Sequence, residues 1–165
     1  MDLLQHTIAW CKGEIFEGKM IFLAGAVLLL ISLAFWKFGT TPYAKAIVAP
    51  LGVLAALMLL VGIIMNGSNT ARILEFTETA TADPMAHAQA ELERTEEFIA
   101  WYPRTRWILF GVAVAGMVLA MFGGSPLGRS IGLVLMLFVL LGFTIDHFSE
   151  ERAMIYHERI MEVVE

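Results

Sequence analysis

Charge is scarce in this 165-residue chain: Asp, Glu, Lys and Arg together supply 16% of it, where a soluble domain carries about a quarter. Set against 58% hydrophobic residues and a mean hydropathy of +0.72, that shortage excludes an ordinary soluble globular protein. The one cysteine, Cys11, excludes an intramolecular disulfide and a CxxC thiol oxidoreductase. Zinc-ligand spacings, phosphate-cradling glycine loops and serine or cysteine nucleophile motifs are missing too. The composition points to a lipid bilayer as solvent and to no particular substrate.

What is abundant is alkyl surface in blocks. A spanning helix needs about 20 predominantly apolar residues, and residues 20–36, 46–65, 107–122 and 127–145 meet or approach that length. The third block is short, but Arg106 and Trp107 can anchor at the headgroups and Gly123 with Gly124 can extend its other end. Residues 1–19 contain Asp2, Glu14 and Glu17 and are patterned as a helix. They do not resemble a short basic leader, so the first block is expected to be a retained span.

Four spans put both termini on one side. That side then holds Lys12, Lys19, Arg72, Arg94, Arg104, Arg106, Arg152 and Arg159, against Lys37, Lys45 and Arg129 on the other, which predicts cytoplasmic termini. All sixteen carboxylates, from Asp2 to Glu165, fall on the termini-bearing side as well, so it is net acidic. Such a face disfavours nucleic acid and anionic lipid and suits a basic protein partner or cations. The far side reduces to two turns, Gly39–Tyr43 and Gly123–Pro126, rich in glycine and proline.

The termini-bearing side is patterned as helix. Leu4, Ile8, Cys11 and Ile15 form an apolar stripe opposite Gln5, Lys12 and Glu14, with Gly13 and Gly18 as weak points. Between the second and third spans, residues 66–106 are too long for a structureless connection. Asn66–Asn69 is expected to be a turn and cap, and Thr70–Thr79 a short helix. Asp83 and Pro84 then open a second helix that lasts to about Trp101, where Tyr102 and Pro103 interrupt it. Met85, Ala88, Leu92, Thr95 and Ile99 are expected to face inward, and Glu91, Glu93, Glu96 and Glu97 mostly to face water. No breaker follows Gly142, so the last span is expected to continue as one helix through residues 146–165. Its seam is Ser149, Ala153, Tyr156, Ile160 and Val163. Small-xxx-small pairs (Gly52 with Ala56, Gly111 with Ala115, Gly116 with Ala120) allow close helix approach within the bundle or between subunits.

The expected architecture is therefore an all-α, polytopic membrane protein forming a single domain over 1–165. Its four transmembrane helices form two hairpins with cytoplasmic helical extensions, and it belongs in a bacterial inner or plasma membrane. The spans contain no Asp, Glu, Lys, Arg or His at depth, which argues against proton relays, ion-coupled carriers and voltage sensors. The remaining candidates for chemistry are His147 with Glu150 and Glu151, and His87 with Glu91, at helical spacings that can chelate a divalent metal ion. Local ion pairs and hydrogen bonds explain the same residues without a metal. Cys11, on an apolar stripe, reads as packing rather than a nucleophile. The leading expectation is a non-enzymatic accessory, scaffold or regulatory subunit that engages a protein partner or forms a homo-oligomer through its acidic helical layer, with no nucleic acid involved. The alternatives are an oligomeric cation channel and a metal-binding enzyme or sensor at the membrane face.

Overall fold

A computed structural model describes residues 3–164. Asp2 and Glu165, two of the carboxylates assigned above to the termini-bearing side, lie outside the described residues. Six helices account for nearly all of it: α1 (Leu3–Phe38), α2 (Pro42–Ala46), α3 (Val48–Ala82), α4 (Pro84–Ile99), α5 (Tyr102–Phe122) and α6 (Pro126–Val164). Four helical segments are long and apolar enough to cross a membrane, as expected of an integral membrane protein. At most 28% of any spanning window is buried, so most of the alkyl surface faces outward, an arrangement stable only where the surroundings are themselves apolar.

α1 packs along α3 and α5 along α6, and α6 also crosses α1 and α4. Two cores result. In the spanning half, Ile21, Leu51, Leu54, Met58 and Val134 come together; at the termini-bearing end, Leu3, Trp10, Cys11, Phe76, Ala88, Tyr156 and Ile160 do so. Glycine sets the closest approaches. A Cβ on Gly62 would sit 2.7 Å from the Gly18 carbonyl oxygen, and one on Gly25 would sit 2.9 Å from the Leu59 nitrogen. On α6, a Cβ on Gly132 would collide with the Ala120 nitrogen and lie 2.6 Å from the Gly116 oxygen. Of the three small-residue pairs read from the sequence, Gly116 with Ala120 thus lies against α6. Gly111 has nothing within 4 Å of a Cβ added to it, and such an atom on Gly52 would just reach Ser32 Oγ at 3.4 Å.

Several boundaries follow the expected chemistry. Asp83 caps α4 by accepting from the Ala86 N–H at 3.0 Å, with Pro84 in the first turn; Pro103 stands in the first turn of α5; and α6 runs unbroken to Val164. Thr41 caps α2 in the same way, accepting from Ala44 N–H at 3.2 Å. At the far end Arg129 joins the two turns, donating to the Gly123 carbonyl at 3.0 Å and to the Tyr43 hydroxyl at 3.2 Å.

The turn expected at Asn66–Asn69 does not form, and α3 continues through it to Ala82. Asn66 Nδ2 donates back to the Gly62 carbonyl at 2.7 Å, Asn69 Nδ2 to Met65 at 2.9 Å and Thr70 Oγ1 to Asn66 at 2.7 Å. These bonds satisfy inside the helix the side-chain donors that otherwise favour turns. Likewise residues 3–19 and the first span form one continuous helix, α1. Its buried stripe is Leu3, Thr7, Trp10, Cys11, Glu14, Glu17 and Gly18, rotated from the expected one, so that Glu14 lies inside. In α4 the inward positions are His87, Ala88, Glu91 and Thr95, while Met85 is half exposed.

Candidate functional site

The polar groups concentrate where α1, α3, α4 and α6 meet at the termini-bearing end. Glu91, only 3% exposed, accepts from Arg94 Nε at 2.9 Å and from the Tyr156 hydroxyl at 2.8 Å. The tyrosine proton goes to the carboxylate, and the single Thr7 hydroxyl proton lies between two acceptors, the Tyr156 oxygen at 2.8 Å and the Leu3 carbonyl at 3.1 Å. Burial, and then the charge of Glu91, push the Tyr156 phenol well above its ordinary range. The Arg94 guanidinium lies over Trp10 at 4.6 Å from the ring centroid and over Phe98 at 5.4 Å, and Trp10 stacks on Tyr156 at 5.4 Å. Cation–π contacts of this kind hold a guanidinium that the surrounding apolar core alone would disfavour.

Two further ion groups lie nearer the spans. Arg152 of α6 bridges to Glu14 at 2.9 Å and also to Glu17, both on α1. Arg106 at the start of α5 pairs with Glu150 and faces Asp146 at 3.6 Å. Burial raises the carboxyl pKa of Glu17 against the pull of Arg152, and that of Asp146 against the pull of Arg106. Each guanidinium ties two helices together at the level where the spans end. Residue spacing places Glu14 opposite the apolar stripe of Leu4, Ile8, Cys11 and Ile15 and does not join Glu14 or Glu17 to Arg152. In the fold they are partners across α1 and α6. The signal that could have joined the two acids to each other is spacing on a rotated stripe, since Glu14 and Glu17 continue the stripe of Thr7, Trp10 and Cys11.

The metal-ligand candidates are dispersed. His147 is exposed and leans on Phe148, Glu150 is engaged by Arg106, and Glu151 is exposed. His87 is buried beside Phe76, with Nδ1 3.2 Å from Thr79 Oγ1, and Glu91 is committed to Arg94 and Tyr156. His157 Nδ1 lies 3.1 Å from Thr95 Oγ1. Among the described residues no three His, Cys, Asp or Glu side chains converge as a metal site. Cys11 is fully buried, and burial pushes its thiol up to about 11 against the opposing charge of Arg94. A thiol in that setting is a packing group rather than a nucleophile.

Two concavities flank these ion groups. One, of about 460 Å³, opens between Trp10, Arg72, Glu97 and Trp101. The other, of about 410 Å³, runs down the outside of α1 and α6. The chain matches no family model, no curated protein and no solved structure.

Proposed function

We propose that this protein is a non-enzymatic accessory or scaffold subunit of a membrane assembly, holding a rigid acidic helical cap against the bilayer for a basic protein partner to bind. In this reading the four spans form two hairpins, both termini and the 66–106 segment are cytoplasmic, and the membrane is a bacterial inner or plasma membrane.

One observation carries the reading: three arginines of the cap, Arg94, Arg106 and Arg152, are committed to carboxylates of the cap, while other carboxylates stand outward. Arg94, Arg106 and Arg152 each pair with buried or half-buried acids across or along helices. Glu93, Glu96 and Glu97 remain exposed on a single helix, α4. Buried pairs of this type contribute little net stability over apolar packing, but they fix how helices meet. The outward acids then sit on a fixed frame, which is what a docking surface for basic side chains requires.

The test is purification of the tagged protein from its native membrane in mild detergent, with identification of what accompanies it. A stoichiometric partner that is lost when Glu93, Glu96 and Glu97 are changed together to Gln supports the proposal. A protein that purifies alone and monomeric, or a partner indifferent to the triple substitution, overturns it.

A further inference from the structure

The crevice along α1 and α6 is amphiphilic along its length. Its deep part is apolar, lined by Ile21 and Ala24 of α1, Met58 of α3 and Leu141 of α6. Its termini-bearing mouth is formed by Glu17 and Arg152. From Glu17 to Ala24 the α1 axis rises about 10 Å, so the polar mouth and the apolar floor are separated along the membrane normal. That is the polarity sequence of a membrane lipid, head outward and chain inward. Phe16 and Phe148, both more than half exposed, flank the mouth.

The charges at the mouth do not balance: one terminal nitrogen of Arg152 bonds both Glu14 and Glu17. Two carboxylates share that one guanidinium, which leaves one negative charge uncompensated at the site. A head that presents an acceptor to Arg152 and an N–H donor to Glu17 matches both. A purely anionic head meets the two acids, and a quaternary ammonium has no N–H to donate.

We infer that this crevice binds one zwitterionic phospholipid with a primary amine head, its phosphate facing Arg152, its ammonium facing Glu17, and an acyl chain along Ile21, Ala24, Met58 and Leu141. The site adds a specific lipid to the proposed scaffold and does not depend on what binds the acidic cap.

Native mass spectrometry of the detergent-purified full chain tests it, using ethanolamine, choline and glycerol phospholipids with identical acyl chains. The expected result is one ethanolamine lipid retained at least about fivefold over either competitor, a preference of roughly 1 kcal/mol. Glu17→Gln is expected to reduce that preference. Ala24→Leu, which fills the floor without touching a charge, is expected to abolish retention with the melting temperature kept. Equal retention of the three lipids, a preference for the glycerol head, or retention indifferent to Ala24→Leu overturns the assignment. The headgroup comparison on the unaltered protein decides the matter even where a variant fails to fold.

Discussion

The Tyr156 hydroxyl donates to Glu91 at 2.8 Å across the α4–α6 interface, and among the described residues it is the one inter-helix hydrogen bond that this buried carboxylate makes. Arg94, its other partner, stands on α4 itself, three residues along. The contact therefore couples two helices where Arg94 alone would only satisfy one. Trp10 stacks over Tyr156 from α1, so a single side chain links three helices.

Tyr156→Phe keeps the stacked ring and removes the donor. A hydrogen bond to a charged group contributes about 1.5–3 kcal/mol, and Glu91, buried among the helices, is closed to the solvent that could replace it. The variant is expected to lose stability within that range in detergent thermal unfolding while retaining the full helical signal. Thr7→Val, which removes a neutral contact from the same hydroxyl, is expected to cost less, about 1 kcal/mol. Equal losses in the two variants would mean that the carboxylate does not depend on Tyr156.

Arg152 presents the opposite situation, one cation serving two acids. Arg152→Met leaves Glu14 and Glu17 facing one another with no counter-charge, and breaking a buried pair from one side costs about 3–5 kcal/mol. The Arg152→Met, Glu14→Gln, Glu17→Gln triple variant removes the charges together and is expected to recover most of that loss. Chemical or thermal unfolding of both proteins checks the sign: a triple variant no more stable than the single one would show that the arginine acts through packing instead.

How much of this was legible depends on the range of the interaction. The Asp83–Pro84 start of α4 and the unbroken α6 depend on local chemistry and can be read along the chain, as can a break beside Pro103, although it falls at Ala100 and Trp101, and Tyr102 and Pro103 open α5 instead of interrupting the helix. Asn66–Asn69 reads as a turn by residue type, yet the helix absorbs these side chains by back-bonding, and α1 packs on α3 to either side of them, at Gly18 and at Phe76. The site was less legible for the same reason. Arg152 lies 138 residues from Glu14 and 135 from Glu17; helical spacing sets the two acids on one stripe of α1, but nothing local names the arginine as their partner. Glu91 looks like its neighbours Glu93, Glu96 and Glu97 until the rotation of α4 against α6 is known, and that rotation turns Met85 outward and Glu91 inward.

Glycine positions separate contact from mere composition. Gly132→Ala places a methyl against the α5 backbone at Ala120 and Gly116, where no flexible side chain can yield, so α5 and α6 must part. Overpacking of that kind costs typically about 1–3 kcal/mol. Gly111→Ala meets nothing within 4 Å and is expected to be neutral or slightly stabilising, since alanine is the better helix former. Melting temperatures of the two variants in the same detergent should therefore move in different directions or by clearly different amounts. A Gly111→Ala variant that is as unstable as Gly132→Ala would place an interface on the open face of α5.

Cys11 gives the termini-bearing end a defined alkaline limit. Its thiol is fully buried among Trp10, Tyr156 and the α4 helix, and burial pushes it up to about 11 from an ordinary value of 9.0. A group whose pKa is higher folded than unfolded contributes stability that is complete below the unfolded value and is lost as pH rises through the folded one. The window therefore runs from 9.0 to about 11, and the two-unit difference corresponds to about 3 kcal/mol at its upper edge. Tyr156, also raised by burial, acts in the same direction above the ordinary phenol value of 10.0. The melting temperature is expected to be flat from neutrality to the start of this window and to fall beyond it, with Cys11→Ala delaying the onset. At about pH 8 a maleimide reagent is expected to leave the folded protein unlabelled and to react once it is unfolded, because the thiolate is both scarce and enclosed. Rapid labelling of the folded chain would mean that the helices around Cys11 open on the reagent's timescale, and the alkaline window would then report that opening rather than the buried thiol.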